Sequence, residues 1–564
     1  MFEGMWLLPS ITKQRMGRYT YLYESTSFWD SESKYPDNHK KIVGRIDPDT
    51  GEECFTQEYL DRLKREGRPT GDMKVWRDQR KSPTLRPGLP ETDSIVLARE
   101  ILGTVKNFGL SYFLQSITEN IGLVEILRQT LPKHWQKIVV LACYLVAENK
   151  TTSYCSDWMD ENECLDAGNM ASQRISELFN AFGYNERAAF YKRWYQRVRE
   201  KEFVALDITS VSSYSEQIDM LEWGYNRDGE DLRQINICML FGEISMMPVY
   251  QTIYSGSLND VTTLNTTLNE FEAITGTRDI MLVMDKGFYK VKNINKMLGA
   301  GELSPYKFLI PVSFTSNFAK EHVENERECI DDVDNVIFTR DDTMPVRGVH
   351  RLCSWNKNSK VHAHIFYDPG HALNVRNDLY SYVAKLKMSA LAGDNDPKLQ
   401  AGFHEYLMIN KPEGANIPAS VEIRKDAITK TMGNSSWVVL ISNQIEDPQK
   451  AYDLYRAKDV VEKSFYQYKN NLGLDRLRVH NDERAQNKIF IAFMALIVSS
   501  HIHKVMRDKD LDGKFTFGKL LSALSKLKIA YINQIPVLQP LTKEQKLIFK
   551  SFGIKYPDGS ERED

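Results

Sequence analysis

Two short apolar runs rich in β-branched residues each carry one aspartate. Residues 203–208 read FVALDI, with Asp207 inside the run, and residues 280–284 read IMLVM, with Asp285 directly after it. Such runs predict buried strands. Because a carboxylate is seldom buried without a partner, each aspartate is either a cap at the end of a strand or part of a functional site.

Similar patterns predict further elements along the chain. Four more core strands are expected, at residues 234–241, 247–254, 308–314 and 437–442. A helix is expected at residues 261–273 and short strands at residues 15–50. From about residue 92 to 201, apolar residues recur every three or four positions, which predicts helices.

A helical pattern at residues 451–471, AYDLYRAKDVVEKSFYQYKNN, puts several polar groups on one narrow face. At about 100° per residue, Tyr455, Lys458, Glu462 and Lys469 fall within about 60° of one another. A carboxylate flanked by cations suits a site that holds a metal ion and a phosphate. The alternative is a solvated charged face with an i,i+4 pair between Lys458 and Glu462.

The order of the three acids along the chain favours a common site. If the strands that carry Asp207 and Asp285 are neighbours, their carboxylates converge, and Glu462 completes an oxygen-rich cluster for Mg²⁺. The stretch between Asp285 and Glu462 is far longer than one strand and a turn require. Residues 315–435 are therefore predicted to form an inserted, mostly-β domain, as the runs NVIFTR, KVHAHIFYD and SVEIRK indicate.

The three acids resemble the DDE triad of RNase H-like insertion-sequence transposases. The spacing Tyr455-x2-Lys458-x3-Glu462-x6-Lys469 is similar to the YREK signature of their cut-and-paste branch, with Lys458 where the signature has Arg. The segment MDKGFY resembles that branch's Asp-Arg-Gly-Phe sequence, and residues 224–264 are similar to the stretch between its two aspartates. Lysine keeps the charge of arginine but lacks its bidentate fork for phosphate.

The resemblance implies an α/β fold with an RNase H-like mixed-sheet catalytic core, in which the first and fourth strands are neighbours. A mostly-β insertion domain interrupts this core, a small β unit and a helical region precede it, and a helical C-terminus follows it. The expected domains are a small β unit with a basic linker (1–90), a helical region that fits DNA-end binding or plain packing (91–201), the first part of the core (202–314), the insertion (315–435), the second part of the core (436–500) and a helical C-terminal region (501–564).

The resemblance also implies two-metal phosphoryl transfer on DNA. Asp207, Asp285 and Glu462 would be both the catalytic residues and the ligands of two Mg²⁺ ions, with Mn²⁺ able to replace them. The implied partners are terminal inverted repeats and target DNA, brought together by a homodimer in the synaptic complex. The side chains expected to contact DNA are Tyr455, Lys458, Lys469, Trp355 and Arg478. For Trp355, the alternative is a partly buried residue at the end of a strand.

Composition limits where DNA could bind. The 564 residues are 42% hydrophobic and carry a formal net charge of −3, so DNA binding has to rest on local basic patches. The most basic segment, residues 62–86, is either a solvated linker or a contact to the DNA backbone. The cysteines are scattered, the N-terminus does not read as a secretory leader, and the longest apolar run, residues 489–498, fits a core helix. We therefore expect a cytoplasmic protein at the bacterial nucleoid, without a membrane partner.

Two other functions fit the same residues. An RNase H-like, metal-dependent nuclease would cut DNA and never join it. A non-catalytic repressor derived from a transposase would bind the DNA ends and leave them intact. Strand-transfer products distinguish a transposase from the nuclease, and inertness with all three acids intact and magnesium bound would indicate the repressor.

Overall fold

In the computed structural model, residues 1–99 and 100–564 form two compact units. The structure describes residues 10–16, 19–29, 36–47, 50–76, 104–198, 203–224, 229–258, 260–299, 306–338, 344–394, 396–412, 417–470, 472–474, 476–532 and 534–559. Residues 77–86 of the basic segment lie outside this set. The first part of the predicted helical region, residues 92–103, does so as well.

The unit of residues 1–99 is a five-stranded sheet with one helix, as the pattern at residues 15–50 predicts. Its elements are β1 Ser10–Met16, β2 Tyr19–Trp29, β3 Pro36–Ile46, β4 Glu53–Phe55, helix α1 Gln57–Arg65 and β5 Lys74–Val75. The strands are adjacent in chain order. The prediction that residues 62–86 form a linker is wrong for residues 62–65. These residues form the last turn of α1, which is held in place by the buried side chains of Leu60 and Leu63.

The second unit begins with a short strand and a set of helices. The elements are β6 Lys106–Asn107, α2 Gly109–Asn120, α3 Leu123–Thr130, α4 Trp135–Glu148, α5 Cys155–Glu161, α6 Ser172–Leu178 and α7 Tyr184–Val198. Their apolar side chains join the large core that also fills the space beside the main sheet. The helices predicted between residues 92 and 201 are therefore confirmed for the described part of that range.

Nine strands form the main sheet of the second unit. They are β7 Phe203–Ser212, β8 Gln234–Gly242, β9 Pro248–Ser255, β10 Met281–Met284, β11 Lys307–Pro311, β12 Val336–Ile337, β13 Val346–Asn356, β14 Ser359–Tyr367 and β17 Trp437–Ser442. Their spatial order is β12-β13-β14-β17-β11-β10-β7-β8-β9. The helices α8 Asp260–Thr275 and α9 Val291–Met297 connect the strands around β10. Each predicted core strand is present, with ends that differ by a few residues.

The insertion at residues 315–435 is not mostly β, and this prediction is wrong. β13 and β14 extend the main sheet, because β14 pairs with β17. The remainder is mainly helical, with α10 Asn317–Glu326, α11 Pro369–Leu391, α12 Pro397–Tyr406, a hairpin of β15 Leu407–Asn410 and β16 Ser420–Ile423, and α13 Lys425–Met432. The apolar pattern in the sequence of the 23-residue α11 is weak, because only a few of its side chains are buried and the rest of its surface is exposed.

Helices dominate the rest of the chain. They are α14 Pro448–Ala457, α15 Asp459–Asn470, α16 Asp482–Asp508, α17 Phe517–Ser525 and α18 Lys543–Ser551. Within the described residues, α16 is the one helix long and apolar enough to cross a membrane, and 78% of its most apolar window is buried inside the protein. It packs against α4 and α15, which confirms the expected core helix beneath Glu462.

The sequence had suggested a purely helical C-terminal region. The structure shows that this region also contains a β-hairpin. A hairpin of β18 Lys528–Ile532 and β19 Ile535–Leu538 lies between α17 and α18. β18 also pairs with β6, at the opposite end of this unit's sequence. β18 is therefore paired with a strand that is distant in sequence, and no local sequence pattern could reveal this pairing.

Candidate active site

Two neighbouring strands place the two aspartates at equivalent positions. Asp207 is the one residue of β7 that is not buried, and Asp285 follows the last residue of β10. The strands are parallel, with Leu206 paired to Met284, so the next residue on each is an aspartate. The backbone N–H of Ile208 donates to Asp207 Oδ1 at 2.8 Å. The predicted pairing of the two aspartate-bearing strands is confirmed.

Residues 451–470 of the predicted helix form two helices, α14 and α15, that meet at Lys458. The prediction of one continuous helix is therefore wrong. At the junction, the backbone N–H of Lys458 points to the carbonyl of Arg456, and the regular hydrogen-bond pattern is interrupted. Lys458 nevertheless has helical dihedrals, φ −55° and ψ −25°. Since α15 packs against β7, Glu462 is carried to the same part of the molecule as Asp207.

Lys458 connects the acids from the strand and from the helix. Its Nζ lies 3.3 Å from Asp285 Oδ1 and 3.7 Å from Glu462 Oε1. The separation of these two carboxylate oxygens therefore cannot exceed the sum of the two distances. The Lys458 side chain is 5% exposed, whereas those of Asp285 and Glu462 are 48% and 61% exposed. A buried ammonium thus lies beneath two accessible carboxylates.

The charge of Lys458 is stabilised by all three acids. Burial opposes its charged form, yet the pKa of Lys458 is raised above its usual value. The carboxylate of Asp207 has the largest raising effect, followed by that of Asp285, and Glu462 also contributes. The ammonium therefore has Asp207, Asp285 and Glu462 within electrostatic reach.

Three carboxylates around one cation have the donor chemistry that a divalent metal needs. Carboxylate oxygens are the ligands that Mg²⁺ and Mn²⁺ prefer. Across the described ranges, however, no three His, Cys, Asp or Glu side chains stand close enough together to hold one metal ion. The acids fit a metal by their chemistry, and Lys458 occupies the position between two of them.

Tyr455 and Lys469 flank this cluster along the two helices. Burial raises the pKa of the Tyr455 hydroxyl, and the carboxylate of Asp285 raises it further. Tyr455 therefore stays protonated, as a hydrogen-bond donor requires. Lys469 is partly exposed at the end of α15, where its charge helps the Arg476 guanidinium to hold the pKa of Glu230 below its usual range.

Trp355 lies at the end of β13 and is half-buried. Its Nε1–H donates to Asn295 Oδ1 at 2.8 Å. Its ring packs edge-on against Phe318, with centroids 5.7 Å apart. This packing favours the alternative of a partly buried residue at the end of a strand over a ring that stacks on a DNA base.

Arg478 is exposed and lies away from the three acids, beyond the end of β7. It adopts a left-handed backbone conformation with φ 48°. It lines a cavity of about 500 Å³ together with Arg476, His480 and Tyr214. The acidic Glu216 also lines this cavity, and Arg476 is paired with Glu230. Of the lining residues, only Arg478 had been expected to contact DNA.

One feature of the site was missed in the sequence, the burial of Lys458, which was expected to face phosphate. No local pattern reveals this burial, because it depends on which strands lie under the helix.

Comparisons with known proteins identify the family. Residues 199–498, more than half of the chain, match the model of a family described as Transposase DDE domain. A search of the curated proteins gives no match.

Among solved structures, the chain is similar to a piggyBac transposase in a synaptic complex with hairpin DNA. The sequences are 12% identical, 69% of each chain is covered, and the TM-score is 0.33. A Mos1 transposase in a paired-end complex with the left transposon end is 10% identical over 44% of this chain and 68% of the other, with a TM-score of 0.12. These similarities are too low to carry an argument, and the family match stands without them. The chain belongs to the family of transposases with a DDE domain.

Proposed function

We propose that this transposase excises and integrates an insertion sequence by Mg²⁺-dependent phosphoryl transfer, as a member of the YREK-signature cut-and-paste branch. The observation that carries the proposal is the convergence of Asp285 and Glu462 on Lys458, beside Asp207 on the adjacent strand. The strand order β9-β8-β7-β10-β11, with β8 antiparallel to both of its neighbours, supports an RNase H-like core.

Asp207, Asp285 and Glu462 are the proposed ligands of two Mg²⁺ ions, or of Mn²⁺ in their place. Metal bound by these acids would supply Lewis-acid activation of the attacking oxygen and neutralise the charge on the departing one. Asp207 is anchored in a strand, while Asp285 and Glu462 present exposed carboxylates from a loop and a helix. The three acids therefore approach the scissile phosphate from different elements.

The reaction has two successive steps. In cleavage, a water oxygen bonds to the phosphorus at the end of the element, and the bond from that phosphorus to the 3′ oxygen breaks. The 3′ oxygen takes up a proton and becomes a 3′-OH. In strand transfer, this 3′-OH attacks a phosphorus of the target DNA, or of the opposite strand to form a hairpin, and another 3′ oxygen leaves.

Five side chains are proposed to contact the DNA. The protonated Tyr455 hydroxyl can donate to a phosphate oxygen, and Lys469 can neutralise a neighbouring phosphate. Arg478 would contact the backbone farther along the duplex, and Lys458 could do so only after leaving the acids. Trp355 has the weakest support as a DNA contact, because its indole N–H is already bonded.

The proposed reaction at both ends of the element implies an oligomeric assembly. Cutting both ends of one element requires two active sites, so a homodimer is proposed for the synaptic complex. Its partners would be the terminal inverted repeats and the target DNA, within the cytoplasm of a bacterium at the nucleoid.

The test uses DNA that carries the element with its own flanks. Purified protein with Mg²⁺ should release the element and join it to a target plasmid. Asp285→Asn should lower cleavage at least about 10³-fold while binding of the DNA ends is retained. Asp279→Asn is the matched control, because Asp279 lies just before the opposite end of β10 and pairs with Lys307. Sustained cutting by folded Asp285→Asn protein would contradict the proposed site.

The same assay separates the rival functions. Nicked or linear DNA without joined product would indicate a nuclease. Tight binding without cutting, by protein that also binds Mg²⁺, would indicate a repressor.

A further inference from the structure

Lys458 occupies the place where a cation is needed among the three acids. Its side chain is 5% exposed, and its Nζ is within 4 Å of both Asp285 and Glu462. Two lysines of the following helix α15, Lys463 and Lys469, are accessible to solvent. The burial of the Lys458 ammonium is thus a property of this position and not of the helix as a whole.

The charges explain why a cation is held at this point. Three carboxylates and one ammonium leave a formal charge of −2, whereas the acids without Lys458 would carry −3. Like charges that face each other in a partly buried site repel strongly. Any cation between the acids relieves this repulsion, and a divalent ion has to approach the same oxygens that Lys458 already faces.

We propose that Lys458 is an internal cation that competes with the divalent metal for Asp285 and Glu462, so that metal binding displaces its ammonium. This inference rests on the proposed function, because it assumes that these acids bind metal. Lys458 thereby sets how tightly the free protein holds Mg²⁺ or Mn²⁺.

The geometry is suited to release. The distances of 3.3 Å and 3.7 Å are longer than the ~2.7–2.9 Å of a charge-assisted hydrogen bond, so the ammonium is shared between two acids and not locked to one. A lysine is a point charge on a flexible stem, whereas an arginine could clamp one carboxylate with two parallel bonds.

The first experiment measures Mn²⁺ binding without DNA, from the electron paramagnetic resonance signal of the free ion. Lys458→Met keeps much of the side-chain volume and removes the charge, and we expect it to bind Mn²⁺ at least about ten-fold more tightly than the wild type. Lys458→Arg keeps the charge and can clamp one carboxylate, so it should bind Mn²⁺ no more tightly than the wild type. Lys463→Met, on the exposed face of α15, should leave the affinity unchanged. Affinity of folded Lys458→Met equal to or weaker than that of the wild type would overturn the proposal.

The second experiment uses the unaltered protein, so it does not depend on whether a variant folds. The rate at which an acetylating reagent modifies Lys458 is followed by mass spectrometry, with Lys463 as the internal reference. Saturating Mn²⁺ should increase the rate at Lys458 several-fold and leave the rate at Lys463 unchanged. A rate at Lys458 that is unchanged or lowered by Mn²⁺ would contradict displacement.

The Mn²⁺-binding measurements and the cleavage assay together distinguish failure of the proposed function from failure of the proposed competition. Wild-type protein that binds no Mn²⁺ would overturn the metal role of the acids and, with it, the proposed reaction. Wild-type protein that binds Mn²⁺ and cuts DNA, with a Lys458→Met affinity no tighter, would overturn the competition alone.

Discussion

Three cationic side chains are buried in the described part of the chain, Arg187, Lys458 and Lys488. Lys488 donates to two backbone carbonyls in the segment after α15. Arg187 donates to three polar side chains at the start of α16. Lys458 differs from both, because it forms ion pairs with two carboxylates of the proposed active site. The first two cations join elements of the fold, whereas Lys458 lies among carboxylates of the proposed site.

Loss of the Arg187 guanidinium should destabilise the protein strongly. Arg187 joins α7 to Glu483, Gln486 and Asn487 of α16, and its removal takes this donor from the Oδ1 of the buried Asn487 and breaks the ion pair with the partly exposed Glu483. We expect Arg187→Met to lower the free energy of unfolding by about 3 kcal/mol. The measurement is urea denaturation followed by circular dichroism.

The control for Arg187 is an arginine on the same helix. Arg193 is exposed on α7, and Arg193→Met should change the free energy of unfolding by less than about 0.5 kcal/mol. Equal effects of the two substitutions would show that the buried network contributes nothing beyond helix propensity.

His364 should make the protein less stable in acid. Burial lowers its pKa to about 4, and its Nε2 hydrogen-bonds to the carbonyl of Ile445. The unfolded chain takes up the proton at about pH 6.5, so stability is complete above that pH and is lost as the pH falls towards 4. Between pH 7 and 5, we expect this histidine alone to lower the free energy of unfolding by about 2 kcal/mol.

The test for His364 compares urea denaturation at pH 7 and pH 5. His364→Gln should lose about 2 kcal/mol less than the wild type over this interval. His404 is exposed on α12, and His404→Gln should retain the wild-type loss. An unchanged loss in His364→Gln would refute the assignment of the acid sensitivity to this residue.

At the scale of the element, the break between α14 and α15 is the feature that shapes the site. The sequence around Lys458 has neither Gly nor Pro, so nothing local predicted an interruption. The predicted helix face is nevertheless retained, because the dihedrals at the junction stay helical. The start of α14 was predictable, since Asp447 and Pro448 are typical of a helix N-terminus.

Removal of the Asp447 cap should loosen α14. The carboxylate of Asp447 accepts hydrogen bonds from the backbone N–H groups of Gln449 and Lys450. Asp447→Ala is expected to lower the free energy of unfolding by about 1 kcal/mol, measured by urea denaturation. Asp453→Ala, on the exposed side of the same helix, should cost less than about 0.5 kcal/mol. A smaller loss for Asp447→Ala than for Asp453→Ala would contradict the capping role.

At the scale of the whole molecule, the sequence predicted what is encoded locally. The apolar runs identified β7 to β11 and β17, and two of those strands brought their aspartates to adjacent positions. The insertion was misjudged because the placement of β13 and β14 is decided by pairing with β17, distant in sequence. The hairpin β18–β19 was missed for a similar reason, since its partner β6 lies at the other end of the unit. The burial of Lys458 likewise depends on tertiary packing and not on helix periodicity.

The central claim is that Asp207, Asp285 and Glu462 bind divalent metal together. Fe²⁺ can replace Mg²⁺ in such a site, and with ascorbate and peroxide it generates radicals that cut the polypeptide close to the bound ion. We predict cuts clustered near these three residues, suppressed by excess Mg²⁺ and lost in Asp207→Asn. Cuts that spare any of the three segments, or that persist in excess Mg²⁺, would contradict the claim.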